Sequence, residues 1–109
     1  TMLEQVLINV VLNARDALST IAKREKRIKI RCRTDDRTVV IEVEDNGPGF
    51  PESIRDRIFD PFFTTKDVGQ GTGLGLSISY GIVSDMKGSI RVAPSDVGAM
   101  IRIELPAAG

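Results

Sequence analysis

"TVVIEVEDNGPGF", residues 38–50, decides how the rest of the chain is read. Val39, Ile41 and Val43 recur at every second position, the period of a strand with one buried face. The run stops at Asp45, and Asn46, Gly47, Pro48 and Gly49 follow. Gly47 and Gly49 tolerate positive φ and Pro48 fixes its own, so the chain turns here. An aspartate at the end of a buried strand also accepts a hydrogen bond from an exocyclic amine, and adjacent glycines let a flat ring approach the backbone. A tight turn and a ring pocket both fit these residues.

Upstream, "RIKIRCR" (27–33) alternates Ile28, Ile30 and Cys32 with charge, and "TDDR" (34–37) is a turn, so an antiparallel strand pair is predicted. From Met2 to about Arg24 there is no Gly or Pro, and Leu3, Val10, Ala14, Ala17, Leu18 and Ile21 share one side of a helical wheel. Downstream, "PESIRDRIF" (51–59) predicts a short helix, with Pro51 as first helical residue and an acidic first turn. "DPFFTTKDVGQGTG" (60–73) mixes turn formers with two aromatics, and "LGLSISYGIVSDM" (74–86) returns to helical spacing through Leu74, Ile78, Ile82 and Met86. "GSIRVAP" (88–94) and "AMIRIELP" (99–106) are two more alternating strands joined by "SDVG". This order predicts an α+β domain with helices stacked on one mixed sheet.

At 109 residues the chain is a single domain with a real core. Fifteen basic residues balance fifteen acidic ones and are scattered, apart from Lys23, Arg24, Lys26 and Arg27, which argues against a nucleic-acid footprint. Cys32 is alone, so no disulfide framework exists and a reducing compartment fits; zinc has no ligand set. No apolar run approaches the roughly 20 residues of a membrane span, and no signal-peptide layout is present. Histidine is absent, which removes the commonest general base and the usual phosphoramidate acceptor. The start at Thr1, directly on a strongly helical run, is expected of a piece of a larger protein.

Two features carry chemistry beyond the turn. Asn9, Asn13, Asp16 and Thr20 form a narrow polar stripe on the first helix, hemmed by Val6, Ile8 and Leu12. A polar seam or plain surface is one reading; the other is that a carboxamide oxygen serves as a hard ligand for Mg²⁺, which takes only one or two protein oxygens. Gly69, Gly71, Gly73 and Gly75 precede a helix and present amide donors to phosphate oxygens, or form a hinge. Their spacing matches neither the P-loop nor the dinucleotide fingerprint.

Read in order, "NVVLNARDA", "DNGPGF", "DPFFTTK" and "GTGLGLS" resemble the N, G1, F and G2 boxes of sensor histidine kinases, and the closing "GAMIRIELP" resembles the family's last strand. "NARDA" and "PFFTTK" are most similar to the branch with the nitrogen-regulation and C4-dicarboxylate sensor kinases. The resemblance implies the Bergerat fold: a two-layer sandwich, a mixed and mostly antiparallel sheet with about three helices on one face, and a mobile ATP lid from about Pro51 to Gly73. It implies ATP and Mg²⁺ as cofactors, with Asn13 as the metal ligand and Asn9 holding triphosphate and metal waters. Asp45 then accepts from the adenine amino group, Gly47 and Gly49 shape the pocket, and Lys66, Gly71, Thr72, Gly73, Leu74 and Gly75 lie toward phosphate, with Phe62 and Phe63 as lid anchors. Implied partners are a dimerisation domain bearing the acceptor histidine and, indirectly, a response regulator; the implied location is cytoplasmic.

Two departures stand out. Many family members have Lys or Arg three residues after the metal-binding asparagine, where this chain has Asp16 near the phosphates, leaving Arg15, Lys66 or the metal to meet their charge. The family also usually begins one strand earlier, so part of the sheet is expected to be missing. A hydrolysing relative of the gyrase or chaperone kind carries glutamate one turn before the metal-binding asparagine; here that position is Asn9, and an amide is no general base. A binding module with a vestigial pocket is the remaining alternative.

Overall fold

The computed structural model describes residues 1–19, 21–22, 25–60 and 75–107. Helix α1 (Met2–Leu18) opens with a capping box: Thr1 Oγ1 accepts the Glu4 N–H at 3.2 Å. It ends before the expected Arg24, Ser19 closing its last turn onto Arg15 and Asp16 carbonyls. Strands β1 (Ile28–Asp35) and β2 (Thr38–Asp45) form the predicted hairpin, with Asp36 in the left-handed region at φ 56°. Helix α2 (Gly75–Asp85), β3 (Ser89–Ala93) and β4 (Ala99–Pro106) complete the order. The sheet runs β1-β2-β4-β3, and each of these pairings is antiparallel.

β2 and β4 are the central strands, and their register settles the core. Val43 faces Ile101, Ile41 faces Ile103 and Val39 faces Leu105, while Ile90 of β3 faces Ile103. These side chains share one face of the pleat and pack with Val6 and Val10 of α1 and Val83 of α2. The opposite face carries the charges that alternate with them. Arg102 reaches Glu42 at 2.8 Å, Arg91 reaches Glu104 at 3.0 Å and Arg31 reaches Glu44 at 3.5 Å. Glu42 is only 7% exposed, so its arginine is needed there; the two more exposed pairs contribute little. A one-residue slip of β2 would exchange the two faces.

Alternation predicts pairing in β1 correctly but does not predict its burial. Ile28 touches the core, yet Ile30 is 55% exposed and Cys32 is exposed, because β1 is the outer strand and the helices lie over β2, β4 and β3. The expected short helix after Pro51 is a single 3-10 turn, Glu52–Ile54, followed by further turns. Its backbone bonds run from residue i to i−3, as in Arg57 to Ile54 and Asp60 to Arg57, and no side chain caps its start. Ile58 is nevertheless buried, and the Phe59 ring sits 5.8 Å from that of Tyr80 on α2. Two residues past the end of α2, Lys87 has φ 65°, and Gly88 follows where a Cβ would lie 2.3 Å from the Glu104 carbonyl oxygen. Gly88 is required for that close passage onto β4 rather than for its torsion.

Ile103 is fully buried at the centre of this packing. Ile103→Ala is expected to lower the unfolding free energy by about 2–5 kcal/mol, whereas Ile30→Ala should cost under about 1 kcal/mol. Urea denaturation of the two variants checks this; equal losses would contradict the placement of β1 at the periphery.

Candidate functional site

Asp45 ends β2 on the core face and is 5% exposed. Its Oδ1 accepts the Gly47 N–H at 2.8 Å, and the Ala99 backbone donates to the same carboxylate. Burial pushes the carboxyl above the ordinary aspartate value of 3.8; the Gly47 and Ala99 donors pull it part of the way back, and the neighbouring Glu44 charge adds a smaller upward push. The group is an acceptor held on a strand end rather than a solvated carboxylate.

The glycines behind Asp45 are tightly enclosed. A Cβ on Gly47 would sit 2.8 Å from Asp45 Oδ1 and 3.6 Å from Leu18 at the end of α1. Gly49 has φ 80°, and a Cβ there would come within 3.1 Å of the Gly98 carbonyl oxygen. Asn46 stays on the far side: its Oδ1 accepts the Arg27 N–H at 2.7 Å and its Nδ2 donates to the Glu25 carbonyl at 2.9 Å. That side chain extends the β1–β2 pairing past Ile28 and anchors the loop.

At the other end, Asn9 Nδ2 donates to the Gly75 carbonyl and to Ser79 Oγ, each at 3.2 Å, while its Oδ1 accepts from Gln5 Nε2 at 3.0 Å. Ser79 is fully buried and donates to Gly75 in turn at 2.9 Å. Asn9 thus pins α1 to the first turn of α2, bringing two expected site residues together. Asn13 lies one turn further along, half-buried, and among the described residues none hydrogen-bonds its carboxamide. Asp16 follows, with Arg15 at 3.6 Å. Eight residues of helix, from Asn9 to Ala17 beside Gly47, span roughly 12 Å. The stripe therefore runs from the start of α2 to the buried carboxylate.

Lys66, Gly71, Thr72, Gly73 and Leu74, the aromatics Phe62 and Phe63, and most of the expected lid lie outside the described residues. Sequence reading missed three contributors. Ser79 sits inside an ordinary helical pattern, Asn46 inside a turn pattern, and Gly98 in what reads as a simple hairpin link. A Cβ on Gly98 would lie 2.3 Å from the Asp45 carbonyl oxygen and 2.8 Å from the Gly47 nitrogen. The only sequence signal for that approach is a glycine just before a strand.

The family of histidine kinase-, DNA gyrase B- and HSP90-like ATPases matches residues 1–109. The two-component sensor PprA of Pseudomonas aeruginosa is 46% identical over 110 residues, covering 97% of this chain and 12% of that protein. The signal transduction histidine-protein kinase AtoS of Escherichia coli is 44% identical (96% of this chain, 17% of that protein), and the C4-dicarboxylate transport sensor protein DctB of Rhizobium meliloti is 40% identical (94% and 16%). The chain thus spans 12 to 17% of the length of these three curated relatives. Among solved structures, the catalytic domain of histidine kinase ThkA superposes with a TM-score of 0.83 at 40% identity, over 97% of this chain and 66% of that one. The chain is homologous to the catalytic domains of two-component sensor histidine kinases.

The raised Asp45 carboxyl has a sign that can be tested. The folded state holds this proton more tightly than the unfolded chain, so stability falls as pH rises from the ordinary aspartate value through the raised one. Urea denaturation across that window should show a falling component in the parent chain that Asp45→Asn lacks. Superimposable pH profiles would mean that Asp45 is not desolvated.

Proposed function

We infer the function from the family: the chain belongs to the histidine kinase-, DNA gyrase B- and HSP90-like ATPases, and acts as the ATP-binding catalytic domain of a two-component sensor histidine kinase. The observation that carries this reading is the pairing of a buried, desolvated Asp45 at one end of α1 with an Asn9 and Asn13 stripe leading to α2 at the other. A carboxylate in that position accepts from the adenine 6-amino group. Gly47 has room for no side chain beside that carboxylate, since a Cβ there would lie 2.8 Å from Asp45 Oδ1. The stripe then leads along the helix to the triphosphate.

Asn13 supplies the one hard oxygen that Mg²⁺ needs from the protein, and no group of three or more carboxylate, cysteine or histidine ligands occurs among the described residues to compete with it. An ion held by Asn13 would supply positive charge to offset that of the phosphates. Lys66, Thr72 and Gly71, Gly73 and Gly75 are assigned to the phosphates by resemblance. Transfer of the γ-phosphoryl group goes to a histidine on a separate dimerisation domain; this chain has no histidine of its own. Such transfer is mostly positioning and charge neutralisation, which a site without a strong base performs. Asn9 favours transfer over hydrolysis, because its carboxamide is engaged with Gly75 and Ser79 and has no basic form.

The histidine kinase ThkA has been seen in complex with the response regulator protein TrrA, and that structure superposes on this chain with a TM-score of 0.78 at 34% identity. A response regulator is accordingly the downstream partner. No described helix is long and apolar enough to cross a membrane. The domain works in the cytoplasm, where ATP is.

Guanine presents an oxygen where adenine presents its amino group, so Asp45 would face another acceptor. Unmet buried polar groups cost about 1–3 kcal/mol, so ATP and ADP should bind roughly 5- to 150-fold more tightly than GTP and GDP. Calorimetric titration reads this directly, and equal affinities would remove Asp45 from the pocket. Asn13→Ala should weaken Mg²⁺-ATP more than metal-free ADP, since the carboxamide oxygen matters only with the cation present. Equal losses for the two ligands would reduce Asn13 to a structural role.

A further inference from the structure

Of the turn between β3 and β4, residues 94–98, only Gly98 touches the site through its backbone. The turn is organised by one hydroxyl. Ser95 Oγ donates to Glu44 Oε2 at 2.8 Å and accepts the N–H groups of Val97 at 3.2 Å and Gly98 at 3.1 Å. The turn is thereby closed on itself and tied to β2 one residue before Asp45. The other oxygen of Glu44 faces Arg31 of β1 at 3.5 Å, and Glu44 itself sits in the β2 ladder opposite Met100.

What the turn presses on the loop is backbone. A Cβ on Gly98 would lie 2.3 Å from the Asp45 carbonyl oxygen and 2.9 Å from that of Gly47, and one on Gly49 would meet the Gly98 carbonyl oxygen at 3.1 Å. Ala99, the next residue, donates its N–H to the Asp45 carboxylate. The last β3–β4 pair is Ala93 with Met100, so residues 94–98 extend past that ladder and depend on local bonds for their position. Main-chain segments in this contact cannot shift independently, and moving the turn moves the donors that aim Asp45.

We propose that Ser95 is a positioning residue for adenine recognition: its hydroxyl holds Gly98 and Ala99 against Asp45 and Gly47, so that the acceptor and the adjoining loop are in place before nucleotide arrives. The inference rests on the adenine-binding reading of Asp45. Loss of the hydroxyl leaves Glu44 paired with Arg31 and leaves the Val97 and Gly98 N–H groups to water, so the fold survives while the aim of the carboxylate loosens.

The test is calorimetric titration of the 109-residue chain with ADP and GDP, beside urea denaturation. Ser95→Ala should weaken ADP roughly three- to tenfold, the worth of one hydrogen bond, and narrow the ADP-over-GDP ratio, with the urea midpoint nearly unchanged. Ser95→Thr should restore both affinity and ratio. Glu44→Ala should weaken ADP similarly, and the double variant no further than either single one. Unchanged ADP affinity in Ser95→Ala would overturn the proposal. So would a loss that follows the urea midpoint and that threonine does not rescue. Absence of ADP-over-GDP preference in the parent chain would instead sink the adenine reading itself, and that result is visible before any variant is made.

Discussion

A carboxylate at 5% exposure has to be held by donors, and those that hold Asp45 come from two separated parts of the chain: Gly47, two residues on, and Ala99, at the start of the last strand. The second is available only because β2 pairs with β4 in the register that sets Asp45 against Ala99. That same register buries Ile41, Val43, Ile101 and Ile103 together and pairs Glu42 with Arg102 on the opposite face. One alignment of two strands therefore fixes the core, the outer charge pairs and the acceptor. A slip by one residue would expose the apolar set and turn Asp45 outward at once.

α1 does for the site what β2 and β4 do for the core. Its apolar face packs Val6, Val10, Ala14 and Leu18 inward, which leaves no freedom in where the Asn9 and Asn13 stripe points. Asn9 then joins the helix to Gly75 and Ser79, and Leu18 backs onto Gly47. These are short-range contacts at the middle and at the C-terminal end of a rigid element, so the distance between them is set by helical rise and not by loop conformation. A preorganised separation of this kind lowers the cost of binding a long ligand, because less has to be ordered when it arrives. It also carries a cost. Keeping Asp45 charged in a desolvated place opposes folding, a strain of the kind expected where a group is kept for function rather than stability.

The elements were legible wherever local pattern and packing agree. β2 spans the residues that its alternation marks, and its end at Asp45 coincides with the glycine turn. The same alternation in β1 misleads about burial, since period two reports which residues share a face and not whether anything covers that face. Pro51 and an acidic turn favour a helix start but do not secure one without a capping side chain, and the segment settles into 3-10 turns. Asn9 and Asn13 stood out because amides on an apolar helix need partners, and the structure divides them: Asn9 has its partners in α2, while no hydrogen bond to Asn13 is found among the described residues. Gly98, Ser79 and Ser95 were invisible for the opposite reason. Each is an ordinary residue for its local element, and each acts on residues more than 45 positions away, which periodicity and turn chemistry cannot report.

The electrostatics of the stripe place the two halves of recognition at different ends. Asp16 occupies the position where a cation would otherwise help, and Arg15 at 3.6 Å largely cancels it, so this turn of α1 offers a triphosphate almost no net charge. Asn9 and Asn13 are neutral, and α2 starts beside Asn9 with the partial positive charge of a helix N-terminus. Asp45 and its backing loop form a buried acceptor, where burial makes an unmatched partner expensive. Under the proposed function, affinity for the phosphates rests on a metal at Asn13 and on cationic or amide donors outside the described residues. Under the same proposal, base recognition is built into the folded sheet, while the response to the number of phosphates depends on groups that the sheet does not hold.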